Sequence, residues 1–409
     1  MCAGGNRHCL KPVPPPPTVV IAGAGIGGLT AAIALAQRGF RVSLIEQAER
    51  LVAIGAGIQL SPNASRLLIG LGLGDRLAPY VVAPQALNVM NARTGRVLAR
   101  ATLGDDAAKS YGAPYWVIHR GDLHTALREA VEATPLIELQ LGVRAEDFAA
   151  HDHGVTVGGK RGTQPVETHG CALVGADGLW SELRGRLGHA AAPRFAHHTA
   201  WRTLVPADEV SPALRVPAVN LWLGRHAHLV HYPVRGGSLI NVVAILRDRW
   251  REIGWNAAGD RDELLARYPA GRWHGTPREL LAAASAWQKW ALYDCRPLKQ
   301  WGKGPVSLLG DAAHPMLPYL AQGAAMAIED AVVLAQCFAQ TPNDAPAALR
   351  AYEDKRRERT ARAQRSARRN GTVYHMGGTG AFLRSLVLAA MRGTGLLRRY
   401  NWLYRWQPD

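Results

Sequence analysis

The amino-acid sequence predicts an α/β protein in which a Rossmann-type dinucleotide-binding domain is interleaved with a mixed β-sheet domain and followed by a mainly helical C-terminal region. Three observations predict this. A strand–glycine loop–helix–strand unit lies near the N-terminus, two later apolar strands end at an Asp-Gly or Gly-Asp pair, and residues 195–246 alternate with strand period.

The first unit is the most specific. Thr18 to Ala22 is a short apolar run rich in β-branched residues, so it reads as a buried strand. It enters Gly23-Ala24-Gly25-Ile26-Gly27-Gly28, and an alanine- and leucine-rich helical pattern then runs to about Arg38. A second apolar strand, Arg41 to Ile45, ends at Glu46. Gly23 permits the tight turn, Gly25 lets backbone approach a pyrophosphate, and Gly28 lets helix pack on strand. The helix N-terminus presents free N–H groups and a positive dipole end to that phosphate. Glu46 stands about twenty residues on, where an acid can accept from the adenosine ribose hydroxyls. The unit does not distinguish FAD from NAD.

Two further motifs follow. Residues 173–184 form an apolar strand, a turn at Asp177-Gly178 and a helix start containing Ser181 and Arg184. Residues 306–330 form another buried strand ending at Gly310-Asp311, a loop, and a long helix beginning near Gly323 and Ala324. Between them, Ala200–Leu204, Val219–Leu223 and His228–Val230 alternate as half-buried strands, and the segment 87–111, with Leu87-Asn88-Val89, is expected to join their sheet. Trp287 and Trp290, three apart, are expected on a helix packed against the domain. The expected divisions are a disordered leader at 1–17, a dinucleotide domain at 18–86, 112–190 and 290–340, a substrate-binding sheet at 87–111 and 191–289, and a helical region at 341–409.

Composition narrows the function classes. The chain has 409 residues, of which 48% are apolar and 20% charged, in the ordinary globular range. Five cysteines are scattered without metal or redox spacing, as in a reduced cytoplasmic protein. No run is long and apolar enough to span a bilayer, and the N-terminus lacks the layout of a secretion signal. The net charge of +16 raises the question of nucleic acid or a membrane surface. The excess is spread along the chain and thickens only over Arg350–Arg369, where Glu353, Asp354 and Glu358 suggest a solvated helix face. Such a field suits anionic substrates and cofactor phosphates. A basic membrane-surface or nucleic-acid-binding flavoprotein without hydroxylase activity is the alternative of another class. His226, His228 and His231 do not form a metal set, because on a strand the first two share a face and the third points oppositely.

The three motifs, with Gly55-Ala56-Gly57-Ile58-Gln59-Leu60, Ile118-His119-Arg120-Gly121-Asp122-Leu123 and the segment His228 to Pro233, resemble the flavin-dependent aromatic hydroxylases of the p-hydroxybenzoate hydroxylase fold. The likeness runs from Thr18 to the C-terminus and is greatest to salicylate hydroxylases and to enzymes acting on 3-hydroxybenzoate and 6-hydroxynicotinate. It implies one FAD per chain, NADH or NADPH as a transient co-substrate, molecular oxygen, and hydroxylation of a small aromatic acid through a flavin hydroperoxide, in aromatic catabolism. Asp311 would then hold a ribityl hydroxyl, Arg120 the FAD phosphates, and Asp177-Gly178 the region of the pyrophosphate and nicotinamide. The helix at Gly323 and Ala324 would face the reduced flavin. A flavin reductase, dehydrogenase or halogenase on the same fold is the rival within enzymes. A homodimer is compatible with the chain, whose oligomeric state the sequence does not fix.

The resemblance also places His228 and Tyr232 beside the substrate ring. Electrophilic hydroxylation favours a phenolate, and a histidine suits removal of the phenolic proton. The plain alternative is that His228 fills a buried strand position. Pro318 stands where the 3-hydroxybenzoate enzymes carry glutamine, and Gln59 and Tyr319 stand where the 6-hydroxynicotinate enzymes carry histidines. These departures point to the salicylate-like branch. His314-Pro315 is expected either to touch the flavin or to shape the loop after Asp311.

Overall fold

The computed structural model describes residues 17–52, 55–189, 192–254, 257–391 and 395–408. The expected leader therefore lies outside the described residues except for Pro17.

The buried apolar runs form a five-stranded parallel sheet, in the order Val306–Leu308, Ala172–Gly175, Thr18–Ala22, Arg41–Glu46 and Ile137–Leu141. Four of these strands bury nearly every side chain, which is why their runs are almost continuously apolar, whereas the edge strand Ile137–Leu141 alternates and is only partly buried. The helices Ile26–Ala36, Arg120–Glu132 and Gly323–Gln340 contribute Leu29, Leu123, Leu127 and Ile328 to the same core. Thr18–Ala22 lies mid-sheet, with its successor in sequence on one side and Ala172–Gly175 on the other. That change of direction makes a topological switch point, and the crevice beyond the strands' carboxyl ends is where such sheets bind ligands. A three-stranded antiparallel meander, Val143–His151, Gly154–Arg161 and Gln164–Gly170, flanks it.

The alternating segment forms an eight-stranded mixed sheet. Its order is Ala257–Gly259, Trp287–Asp294, Arg194–Pro206, Leu239–Arg247, Ala227–Val234, Ala218–Leu223, Ala86–Asn91 and Val97–Thr102. Only the pairing of Ala218–Leu223 with Ala86–Asn91 is parallel. The period-two alternation gives the sheet two functions. Trp201, Leu229, Val242 and Ala244 pack one face against Leu264, Tyr268, Leu280 and Leu281, at or beside the helices Arg261–Arg267 and Gly275–Ala283. The opposite face carries Arg202, His228, Val230, Tyr232, Val243 and Ile245 and lines a cavity.

Several expectations change. Trp287 and Trp290 lie on the strand Trp287–Asp294, not on a helix, so the expected boundary at 290 cuts an element of the larger sheet. Within 87–111, Gly104–Tyr111 is a helix. The basic stretch lies in the 30-residue helix Ala345–Tyr374, but Glu353 and Arg356 are buried there. That face is an internal ion-pair surface: Arg356 meets Glu329 at 2.6 Å and Asp330 at 2.7 Å. Helical spacing also fits this arrangement, and only the packing of Gly323–Gln340 against it decides between the two. His226 lies outside the strand with φ +60°, while His228 and His231 point to opposite faces, and no cluster among the described residues could hold a metal. Cys171, Cys295 and Cys337 are free thiols. No helix of the described residues is long and apolar enough to cross a membrane.

Candidate active site

The glycine loop sits at the switch point and is held from three sides. Gly23 has φ +111°, and a Cβ there would stand 2.4 Å from the Ala176 carbonyl oxygen. A Cβ on Gly28 would lie 1.8 Å from the Gly23 carbonyl oxygen, so helix and strand touch through bare backbone. Glu46 Oε2 accepts from the Ala24 N–H at 2.8 Å, and its Oε1 accepts from the Ala48 N–H at 2.9 Å. From the other side, His124 Nε2 donates to the Ala24 carbonyl at 2.8 Å. By contrast, a Cβ on Gly25 would meet nothing within 4 Å. The loop is thus fixed where protein surrounds it and open where a phosphate would enter.

The two later motifs converge on the same opening. Asp177 Oδ2 accepts from the Leu183 N–H at 3.2 Å, and Ser181 caps the helix Glu182–Arg186 by accepting from the Arg184 N–H. The Arg184 guanidinium is buried and donates to the carbonyls of Leu179 and Ala312, tying the second motif to the third. Asp330, buried in the helix Gly323–Gln340, accepts from the Gly310 N–H at 3.1 Å, from His314 Nε2 at 2.5 Å and from Arg356 Nε at 2.7 Å. His314 therefore turns towards Asp330 and shapes the loop, which answers the question left open by its position after Asp311. Asp311 opens onto the cavity yet is ringed by protein. That crowding pushes its carboxyl pKa up, opposed by His314, Arg120 and Arg184.

One cavity of about 390 Å³ brings these groups together with the larger sheet. Gly25, Arg120, Gly178, Gly310, Asp311, Gly323 and Ala324 line one part of it, and Arg202, His228, Val230 and Tyr232 another. Gly23, Gly28, Glu46 and Asp177 are not among the residues that line it; Glu46 and Asp177 accept from backbone N–H groups of the two loops. The two halves are clamped by Asp122, whose carboxylate accepts from Arg235 Nε at 2.9 Å and from its NH2 group at 2.8 Å. The Ile118–Leu123 motif thus contributes a structural carboxylate beside Arg120. At the junction, Gly57 donates its N–H to Asn241 Oδ1 at 2.6 Å, and a Cβ on Gly57 would stand 2.6 Å from the Tyr232 ring.

His228 and Tyr232 are four apart on the strand Ala227–Val234 and so share its cavity face. Burial is the first cause that lowers the His228 pKa to about 3, with His198 adding to it, so the ring is neutral. Burial likewise pushes the Tyr232 hydroxyl above its ordinary range, against the pull of Arg202. His228 Nδ1 lies 2.8 Å from His375 Nε2, which leaves its own Nε2 as the nitrogen available to a ligand. Tyr319 and Tyr374 present their rings edge-on to His228 at 5.5 and 5.4 Å.

Several residues had no assigned role in the sequence reading. Arg202 stacks on Trp290 at 4.0 Å, and its Nε has no hydrogen-bond partner among the described residues. Burial lowers its pKa to about 10, so it remains a cation beside Tyr232 and offers the cavity a fixed positive charge. Its place follows from register, since Arg202 pairs with Val243 and Val243 with Val230. His375 and His198 come from distant segments and carry no local motif. Tyr115, which donates to Gln59 Oε1 at 2.6 Å, was equally silent.

A parallel sheet with an open glycine loop at its switch point, joined to an apolar pocket under a second sheet, defines a dinucleotide-dependent oxidoreductase. Residues 17–367 match the FAD binding domain family, and the chain belongs to it. The chain is 37% identical over 390 residues to a 3-hydroxybenzoate 6-hydroxylase of Klebsiella oxytoca, covering 95% of this chain and 97% of that one. It is 39% identical over 358 residues to a 3-amino-4-hydroxybenzoate 2-monooxygenase of Streptomyces cremeus, covering 88% of each. A salicylate hydroxylase substrate complex superposes with TM-score 0.80 at 26% identity, over 96% of both chains. The protein is an FAD-dependent aromatic-ring monooxygenase. The residues fit the cofactor: the space before Gly25 admits a pyrophosphate, and Arg120 and Asp311 face one cavity with it.

Proposed function

We propose that the protein uses NADH or NADPH and molecular oxygen to hydroxylate a hydroxybenzoate, with 3-hydroxybenzoate as the first candidate. The observation that carries this reading is that His228 and Tyr232 share one strand face and one cavity with Asp311 and Gly323. The preference for a salicylate-like acid, argued from Gln59, Pro318 and Tyr319, gives way. Both hydroxybenzoate relatives are more similar in sequence than the salicylate hydroxylase, which supports the 3-hydroxybenzoate alternative.

Bound FAD, reduced by the nicotinamide, supplies the oxygen chemistry. Asp311 would accept from its ribityl chain and Arg120 would pair with its phosphates, because a carboxylate suits sugar hydroxyls and a guanidinium suits phosphate. The backbone amides at Gly323 and Ala324, at the positive end of their helix, would face the flavin. His228 takes the phenolic proton at Nε2, and Tyr232 orients the ring. Burial keeps the His228 ring unprotonated but weakens it as a base, an effect that the anionic phenolate formed beside it would offset. Arg202 and the net charge of +16 favour an anionic substrate.

The test is oxygen uptake, NADH and NADPH oxidation, and product analysis across 3-hydroxybenzoate, salicylate, 3-amino-4-hydroxybenzoate and 6-hydroxynicotinate. A hydroxylated product from 3-hydroxybenzoate is expected. A purified yellow protein that hydroxylates none of the benzoates would overturn the reading.

A further inference from the structure

We infer that the enzyme's substrate carries an apolar group beyond its hydroxybenzoate ring, and that a second chamber beside His228 binds that group. This rests on the reading that a hydroxybenzoate is hydroxylated next to His228.

The chamber lies at one end of the larger sheet. Val89, Leu221 and Leu223, on the strands Ala86–Asn91 and Ala218–Leu223, form its floor. Residues two apart on a strand share a face, which is why Leu221 and Leu223 point the same way. Leu388 of the helix Gly378–Ala390, with Leu396 and Leu397 of the helix Gly395–Arg398, forms its roof. Floor and roof belong to one apolar cluster, yet a space of about 150 Å³ stays between them. Protein interiors rarely keep a gap much larger than a water, because an unfilled apolar cavity lowers stability. A cavity of about that volume lined by aliphatic and aromatic side chains takes up a benzene molecule, so the chamber has room for about six carbon atoms.

Its place favours an extension of the substrate over a separate ligand. His228, Val230, Gln59 and Pro318 line both the chamber and the larger cavity that Asp311 and Gly323 line. The two spaces thus meet at the imidazole that faces the phenol, and a ring held there can send a substituent away from the flavin side towards the leucines. The polar groups of the lining are mostly committed to each other. Tyr115 donates to Gln59 Oε1 at 2.6 Å, and the Asn370 side chain donates to the Tyr319 carbonyl at 3.1 Å and to the Tyr400 hydroxyl at 3.4 Å. The exception is the Tyr319 hydroxyl, buried and without a partner among the described residues, which offers the ligand one hydrogen bond. Arg399 alone among the described lining residues carries a charge, and it is exposed, so its guanidinium stays in water. The space between the leucines therefore offers no partner to a carboxylate or an ammonium, and it suits carbon.

The experiment titrates FAD-loaded enzyme with 3-hydroxybenzoate and with its methyl, propyl, pentyl and octyl derivatives at each open ring position. Binding is read from the flavin absorbance and turnover from the hydroxylated product. At one position affinity should rise about 4-fold for each added methylene, the gain expected from burying it. The rise should level off beyond about six carbons, where the chamber is full. The pentyl compound should be hydroxylated. Leu388→Trp and Leu397→Trp each place an indole in the roof and should bring the pentyl-to-parent affinity ratio close to one, with FAD content and circular dichroism reporting the fold. The chain-length series needs no variant, so it decides the matter even where a tryptophan disturbs folding. If 3-hydroxybenzoate binds and is hydroxylated but no position shows the gain, the inference is overturned and the hydroxybenzoate reading stands. A gain that survives in both folded tryptophan variants, or tight binding that yields only hydrogen peroxide, overturns it as well. If no member of the series perturbs the flavin or is hydroxylated, the hydroxybenzoate reading fails and takes the chamber's role with it.

Discussion

Asp330 accepts hydrogen bonds from His314 and Arg356 at once, and through them it fastens the loop carrying Asp311 to the two longest helices. Removing one partner of a buried ion pair costs about 3–5 kcal/mol. Asp330→Asn should fall near the lower end, because Arg356 keeps Glu329. Urea unfolding and FAD titration should show a less stable protein with weaker FAD. No change in either would mean that the loop is held by other contacts.

The second and third fingerprint glycines, Gly25 and Gly28, should fail differently. Gly25→Val places a side chain in open space, so the variant should fold with native circular dichroism and purify colourless. Gly28→Val drives a side chain into the Gly23 carbonyl and should lose the fold itself. A well-folded Gly28→Val protein that binds FAD would refute the contact between helix and loop.

Asp311→Ala should leave the fold intact, because none of its described hydrogen bonds closes the loop, a task that falls to Asp330. Loss of a charged acceptor for a ribityl hydroxyl should weaken FAD by roughly 1.5–3 kcal/mol. Equilibrium dialysis against FAD reads this directly, and an unchanged dissociation constant would remove Asp311 from the binding site.

His228→Ala should keep normal FAD content and lower hydroxylation by roughly 10²–10⁴-fold. NADH should still be consumed, with oxygen leaving as hydrogen peroxide. The defect should shrink at high pH, where the substrate ionises unaided. Hydroxylation at the wild-type rate with tight coupling would leave His228 a packing residue.

Stability should fall on the acid side through buried histidines. Burial depresses the pKa of His228 and His231 to about 3 and of His375 to about 2. Their ordinary unfolded value is about 6.5, so the unfolded chain binds more protons below it. The stability they confer is therefore whole above pH 6.5 and is lost as pH falls towards 3. Between pH 6.5 and 5 each should cost on the order of 1 kcal/mol or more. His231 lies on the face away from the cavity, with both ring nitrogens unpartnered among the described residues, so His231→Leu should flatten this slope without touching the ring site. An unchanged acid midpoint in that variant would contradict the assignment.

Much of the nucleotide half was legible because its information is local. The strand Thr18–Ala22, the helix that follows and Glu46 at the end of its strand stand where the spacing places them. Continuous apolar runs signalled parallel strands, and the helix starting at Gly323 was visible from the strand and loop before it. The ring-facing half was only partly legible. The family resemblance pointed to His228 and Tyr232, but Arg202 joins them through register across two neighbouring strands. His375 reaches His228 across 147 positions, a contact that no periodicity encodes. Trp287 and Trp290 misled because a three-residue interval fits a helix as well as two faces of a strand. Arg356 misled because acids mixed with bases suit both a wet surface and a buried network.

The strand order of the parallel sheet bears on the birth of the protein. Thr18–Ala22 leaves the ribosome early, yet its neighbour Ala172–Gly175 is made much later, and Val306–Leu308 later still. Asp330 then has no Arg356 until the last long helix is synthesised. Such distant pairings are slow to form and leave apolar strand faces exposed meanwhile. A nascent chain released before that helix emerges holds an unfinished nucleotide cradle, so premature termination there should yield aggregates rather than a weakened flavoprotein.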